Sequence, residues 1–569
     1  MPEVEARTVL WYLTFFGFAV NYMIRINLNI TIVEMVKSTS LHKTELFSNQ
    51  MQNGSVYDIK NHTNFDEIID EDLHEKHLYK IESSNISLRD KIKLGEFSKD
   101  NKHRATIESM ILDKMGISYD RDGMHINEYQ QGLILGSFFW LHWVTQIPGG
   151  ILAKKYGTKL VFGLSNAVGT WICFVLPLLA YIDYRLLIFA RIIQGLICGL
   201  AWPAMHHLTA QWIPPNERSK FVTAYLGSSV GIAVFYPLFG FVMSWTTWEL
   251  VFHLCGITGT IWYLAWRHFI YDTPSCHPRI SENEKNFIEK SLGSTVVLST
   301  NHGPTPWKDI LISKSVWMNV IAQWGGIWGL FTLMTQAPTY FKIIHHWNIR
   351  MTGLLSGLPH LLRMIFAYFF SIFGDYLLKT EKMTRTNVRK LATTVCCIIK
   401  GLFVLALAYS GNSSTASVIF LSLATMAHGA VSTGPLASIV DIAPNYAGIV
   451  LGISGMITVL PGFISPIVVG MLTLGNQTVT SWKYVFLITS GMLIGSGILY
   501  DLFCDSTLQS WNNPSSNVIL SNKELQILNS NKNLNIINGF KVNNDDNNIE
   551  NDKSKENQKS CVNKCNETP

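Results

Sequence analysis

Apolar positions along this chain fall into long blocks, each bounded by short polar punctuation. Blocks near the roughly 20 residues that a helix needs to cross bilayer hydrocarbon cover 8–36, 130–152, 160–181, 185–208, 221–244 and 250–271. A polar interval at 272–315 follows, and then six more blocks at 316–341, 353–374, 391–410, 417–440, 447–472 and 483–504. The pattern predicts an all-α membrane protein of twelve transmembrane helices in two six-helix halves, numbered here as spans one to twelve. Residues 1–271 form the N-terminal half with a long exoplasmic loop at 37–129, residues 272–315 a cytoplasmic linker, 316–504 the C-terminal half, and 505–569 a disordered cytoplasmic tail. Span one lacks the short apolar core and small-residue cleavage site of a signal peptide, so it is expected to be retained.

Composition agrees with a bilayer as the solvent. Of 569 residues, 48% are hydrophobic and 15% charged, against roughly 25% charged in an average soluble domain. Basic residues of short loops stay cytoplasmic. Lys154, Lys155 and Lys159, then Arg218 and Lys220, then Lys379, Lys382, Arg385, Arg389 and Lys390 all fall on one side of an even count, which places both termini in the cytosol. The 37–129 loop is then exoplasmic, and its sequons at Asn53, Asn61 and Asn85 are candidate glycosylation sites. That loop and the Asn/Lys/Ser/Asp-rich tail lack sustained periodicity and are read as unfolded. None of the nine cysteines lies in the loop, so no disulfide framework is implied.

Against this background a few polar residues inside the spans stand out. A charge within hydrocarbon costs at least a few kcal/mol and usually faces the bundle interior or a watery cavity. Asn21, Arg25 and Asn29 recur every four residues on one stripe of span one. Arg191, Gln194, Cys198 and Trp202 follow helical spacing in span four, and Arg363 lies roughly 15 Å deep in span eight. No Asp or Glu sits near the centre of any span to neutralise these arginines. They either tie helices together through carbonyls or line a cationic cavity awaiting an anion. His142, His206, His360 and His428, in or near spans, are titratable candidates or plain packing residues. Gly231/Pro237 and Gly455/Pro461 repeat one spacing in the fifth span of each half, a sign of a duplicated unit that rocks about a central site.

The stretch GGILAKKYGTK (Gly149 to Lys159) resembles the loop signature between spans two and three of the major facilitator superfamily, with Lys154 where many members have Asp. Within it, RINLNITIVEMV (Arg25 to Val36), SFFWLHWVTQIPGG (Ser137 to Gly150), RIIQGLICGLAWPAMH (Arg191 to His206), WIPPNERSK (Trp212 to Lys220), DIAPNYAGIVLGI (Asp441 to Ile453) and LQSW (Leu508 to Trp511) are similar to the anion:cation symporter branch. That branch includes sialin, the vesicular glutamate transporters and the sodium-dependent phosphate cotransporters. The resemblance implies that Arg25 and Arg191, with Asn29 and Gln194, bind the anionic group of the substrate. Arg363, His142 and Trp202 are accessory candidates, and Gly149, Gly150, Gly157, Lys159, Glu217 and Arg218 belong to the loops that accompany conformational change. Two departures are visible. Cys198 stands where many members have an acid in span four, and Gly326 where the vesicular glutamate transporters have an arginine in span seven.

The sequence therefore predicts a secondary active transporter, a symporter of organic or inorganic anions such as phosphate, working by alternating access in the plasma membrane or an endolysosomal or vesicle membrane. Its partners are a small anionic substrate and the lipid bilayer, without nucleic acid, and a monomer is the functional unit. No cofactor or metal is expected. Cys198 in place of a carboxylate favours sodium or membrane potential over protons as the driving force. The alternatives are a proton-coupled, sialin-like exporter of acidic sugars and a membrane sensor that binds an anion without moving it. An enzyme would need a His with Asp or Glu at helical spacing inside the spans, and none appears.

Overall fold

The computed structural model describes residues 5–36, 106–116, 124–214, 221, 223–299, 305–411 and 413–512. Asn53, Asn61 and Asn85, together with Glu217 and Arg218, lie outside the described residues. Helices cover all twelve predicted intervals, and the one β feature among the described residues is an isolated bridge between Val36 and Met124. Among the described residues eight helices are long and apolar enough to cross a membrane, or nine when Thr158–Cys173 and Leu176–Ile182, bent by 43°, count as one. Spans two, six and seven (Glu128–Ser137 with Gln146–Tyr156, Trp248–Phe269 and Lys314–Ile343) complete the set of predicted intervals.

Span two departs from the continuous helix expected over 130–152. Its first helix starts on a reciprocal cap, with Asn127 Oδ1 accepting from Gln130 N at 2.8 Å and Gln130 Oε1 accepting from Asn127 N at 2.9 Å. That helix stops at Ser137, turns occupy 138–145, and a second helix runs from Gln146 to Tyr156. Span four runs on from Tyr184 to Thr209 with a tightened turn at Leu200, whose N–H donates to Ile197 O at 3.3 Å. The interruption in span two frees its side chains from strict helical spacing, which is why the periodicity argument fails there.

Three polar segments hold more structure than their composition predicts. Within the 37–129 loop, Ile107–Met115 is a helix capped by Thr106 and closed by Gly116 in the left-handed region, and Glu108 Oε1 lies 2.6 Å from His253 Nε2 on span six. In the linker, Glu282–Ser299 and Trp307–Ile312 are helical. Glu284 accepts from the backbone N–H of Ala6 and from Arg7 Nε, both at 3.0 Å, which puts a carboxylate at the N-terminus of span one. The tail expected from residue 505 is instead held through Asn512: Gln509 N donates to Ile442 O at 2.9 Å and the Ser506 and Ser438 hydroxyls pair at 2.9 Å.

The two halves pack closely at one face. Toward the end of span one that carries Glu34, a Cβ on Gly132 of span two would stand 2.4 Å from Pro466 O, and one on Gly353 of span eight 2.5 Å from Tyr236 O. Glu34 and Lys342 close the same face with an ion pair at 3.0 Å. Toward the face bearing the 149–159 loop, Gly448, Gly452 and Gly455 of span eleven have no neighbour within 4 Å of an added Cβ. Gly231 and Gly455 share a sequence spacing but not an environment, since a Cβ on Gly231 would stand 2.8 Å from Ala19.

Candidate substrate site

Span one brings Arg25 and span four brings Arg191 into the middle of the N-terminal half, where they are 5% and 1% exposed. Both guanidiniums lie against the ring of Phe138, at 5.7 Å for Arg25 and 5.0 Å for Arg191, and Arg25 also covers Tyr22 at 4.6 Å. Aromatic faces attract cations, so these rings stabilise the pair without neutralising it. Arg191 Nη1 donates to Ile24 O at 3.0 Å, to Gln194 Oε1 at 2.7 Å and to Asn27 Oδ1 at 3.4 Å. Gln194 Nε2 in turn donates to Gly169 O at 2.6 Å, fixing which end of the amide faces the arginine.

The span-two turn supplies His142. Its Nε2 lies 3.4 Å from Arg25 Nη2 and its Nδ1 3.0 Å from Gly195 O. A guanidinium cannot accept a hydrogen bond, so Nε2 accepts and Nδ1–H donates to the carbonyl, which assigns the neutral Nδ1–H tautomer. Gly195 makes this approach feasible, because a Cβ there would fall 1.7 Å from Phe138 O. Arg25 Nε and Arg191 Nε are buried without a partner. Every ion pair among the described residues lies elsewhere. Two cations in a low-dielectric interior, each with an unused donor and no carboxylate, are an arrangement that an anion completes.

The 149–159 loop is pinned from the far end of the half. Gly157 has φ +87°, a conformation that favours glycine, and Lys159 N donates to Asp272 Oδ1 at 2.7 Å. Trp266 Nε1 donates to Lys159 O at 2.9 Å, and Lys159 Nζ sits 4.0 Å from the Tyr271 ring centroid. Burial pushes the Asp272 carboxyl above its ordinary range, against the pull of the Lys159 backbone. Gly149 lies under Leu200 and Pro203, and Gly150 is loosely packed beside Pro203. The carboxylate that clamps this loop therefore comes from beyond span six, with Lys154 leaving the loop itself basic.

The family model for the Major Facilitator Superfamily matches residues 14–466. The chain belongs to this superfamily. Among curated proteins it is 36% identical over 386 residues to vesicular glutamate transporter 1 of Bos taurus, covering 67% of this chain and 69% of that one. It is 34% identical to vesicular glutamate transporter 2 of Homo sapiens, over 67% of this chain and 66% of the relative. These relatives place the superfamily member in the anion:cation symporter branch. Among solved structures, a D-xylose–proton symporter superposes with TM-score 0.54 at 13% identity, covering 88% of this chain and 98% of that one. An inward-open xylose transporter from E. coli gives TM-score 0.54 at 13% identity over 88% and 95% of the two chains. These two structures share the fold.

Of the residues that the sequence singles out, this transporter brings Arg25, Arg191, Gln194 and His142 to one place. Asn29 instead donates to Tyr236 Oη of span five at 3.2 Å, and Asn21 to Asn166 of span three at 2.8 Å; the stripe of span one is shared among three neighbours. Trp202 packs on Phe18 at 4.6 Å and Tyr225 at 5.6 Å, in a separate aromatic cluster. Cys198 points its thiol at Ser165 O, 3.7 Å away. Arg363 crosses between the halves and donates from Nη2 to Ser229 Oγ of span five. Sequence reasoning misses Asn27 and Phe138, and above all Lys400, fully buried in span nine.

Proposed function

We propose that this protein is a secondary transporter of small anions that holds the acidic group of its substrate between Arg25 and Arg191 and moves it by rocking the two halves about that site. The observation that carries the reading is the pair of buried arginines on one phenylalanine ring, each with an unpartnered Nε and without an acidic neighbour. The vesicular glutamate transporter relatives make acidic organic anions the first substrates to test. The close contacts of Gly132 and Gly353 across the halves, with the Glu34–Lys342 pair at the same face, support alternating access from a state closed on that face. Coupling is assigned to sodium or to membrane potential, because among the described residues no carboxylate pairs with the two arginines.

The test is uptake into proteoliposomes of purified protein, comparing glutamate, phosphate, urate and an acidic sugar with and without sodium, under an imposed potential or an imposed pH gradient. Saturable accumulation of at least one anion, driven by sodium or potential, is expected. Binding without accumulation would replace the transporter with a sensor, and accumulation driven by the pH gradient alone would overturn the coupling assignment.

A further inference from the structure

Outside the arginine pair, buried polar groups without partners concentrate in the C-terminal half. Lys400 is fully buried, and its Nζ donates to Gly326 O of span seven at 3.0 Å. An ammonium has three donors, so one carbonyl leaves most of its capacity unused. Around it stand Arg363 and His360 of span eight and His428 of span ten, all within electrostatic reach of one another. His360 and His428 are 3% and 2% exposed, and the Nδ1 of each lacks a partner. Ser356, one turn from His360 on the same face, also has a buried hydroxyl without a partner. Among the described residues no carboxylate pairs with Lys400, and Asp501, the acid electrically linked to Cys396 and Cys397, is engaged by Thr394 Oγ1 at 2.6 Å.

Two further features separate this cluster from a packing accident. The helical turn leading into Lys400, Thr394–Ile399, is a π-helix, a widened turn that recurs at functional sites. Gly326 leaves room beside the amine, since a Cβ there would still be 3.5 Å from His428 and 3.9 Å from Cys397. The cluster is also continuous with the first site: Arg363 lies within electrostatic reach of Tyr22, whose ring lies 4.6 Å from the Arg25 guanidinium.

We propose that Lys400, with His360, His428 and Arg363, forms a second anion subsite that takes the distal acidic group of a substrate whose first acidic group lies between Arg25 and Arg191. The inference rests on the anion-transporter reading and deepens it: the substrate carries two acidic groups, one for each half. Spanning both halves with one ligand couples binding to their closure around it, which a singly charged ligand held by the N-terminal half alone does not do.

The experiment compares binding of glutarate and its monoamide, glutaramate, to purified full-length protein by thermal stabilisation and calorimetry. The two probes share length and shape and differ by one charge. Wild type is expected to prefer glutarate by about tenfold or more, the worth of one charged hydrogen bond. In Lys400→Met the preference should fall toward unity, and in Lys400→Arg, which keeps a cation, most of it should return; that rescue separates the subsite from a structural role. Arg191→Gln should weaken both probes together. Equal binding of the two probes by wild type, or an unchanged ratio in Lys400→Met, overturns the subsite and leaves the anion-transporter reading standing. Binding of neither probe by wild type overturns the subsite, and the anion-transporter reading then falls only if the uptake screen of the four anions is also negative.

Discussion

Arg191 donates from Nη1 to the backbone carbonyl of Ile24 at 3.0 Å, the residue immediately before Arg25. One arginine thus fixes the stretch of span one that carries the other, so the two charges are positioned as a unit. Helix tethering and the proposed substrate binding, alternatives when only the spacing is known, are compatible in one side chain: Nη1 faces protein acceptors, while Nε is unpartnered.

Removing either charge should therefore affect transport by different routes. Arg25→Gln deletes a guanidinium held mainly by rings, and is expected to lower anion affinity about 10- to 100-fold with little loss of folded protein. Arg191→Gln removes the donor that Gln194 Oε1 accepts from at 2.7 Å, and a buried acceptor left without a donor costs about 1–3 kcal/mol; a lower thermal midpoint should accompany lost uptake. Arg191→Lys should restore stability better than uptake, because an ammonium does not reproduce a planar fork. Normal uptake by Arg25→Gln at equal surface level would remove Arg25 from the site.

Much of this was legible in the sequence because the bilayer forces it. Apolar blocks of spanning length locate the helices, and arginines inside them are rare enough to mark Arg25 and Arg191 without a structure. What escaped depends on backbone breaks and chemistry that a stripe does not encode. Helical spacing puts Trp202 on the arginine stripe, yet its ring packs on Phe18 and Tyr225, which come from spans that the spacing of span four alone does not reveal. Phe138 belongs to a turn within span two that hydrophobicity alone reads as helix. Lys400 passed unremarked in VCCIIKGLFVLALA, although a lysine deep in an apolar run carries the same signal as Arg363.

Gly195 offers a purely steric prediction. Its added Cβ would overlap the Phe138 carbonyl oxygen, which belongs to the backbone and has no side-chain freedom to yield. Gly195→Ala should push span two from span four, separate Phe138 and His142 from the arginines, and cost at least the roughly 1–3 kcal/mol of ordinary overpacking. Uptake should fall with every arginine still in place. A variant with unchanged thermal midpoint and uptake would show that the two spans are not in this contact.

The Glu108–His253 contact predicts how the Ile107–Met115 helix responds to acid. Burial alone would raise the Glu108 carboxyl, but the His253 hydrogen bond and charge, with backbone and Thr106 hydrogen bonds, hold it below its ordinary value of 4.5. A carboxylate depressed on folding contributes stability that is fully present above the unfolded value and is lost as pH falls through the folded one. Docking of Ile107–Met115 should therefore be insensitive to Glu108 titration from neutral pH to about 5 and weaken below 4.5. Hydrogen exchange of these amides measures it; Glu108→Gln should exchange faster at neutral pH, and equal exchange in both proteins would mean that the contact does not hold the helix.

Glu34 at the end of span one and Lys342 at the end of span seven pair across the closed face at 3.0 Å, with side chains 39% and 36% exposed. An ion pair this open to solvent is worth about 1 kcal/mol or less, so Glu34→Gln should change transport only modestly. Its geometry is more informative than its energy. Two side chains that meet at this face place their positions within reach of a short bifunctional thiol reagent. In the double variant Glu34→Cys/Lys342→Cys, a reducible cross-linker should join the halves on this face and arrest uptake, and reduction should restore it. The single variants treated alike should keep transporting, which controls for the native cysteines. Undiminished uptake by fully cross-linked protein would show that this face does not open during the cycle, and rocking of the two halves about the arginine pair would have to be abandoned.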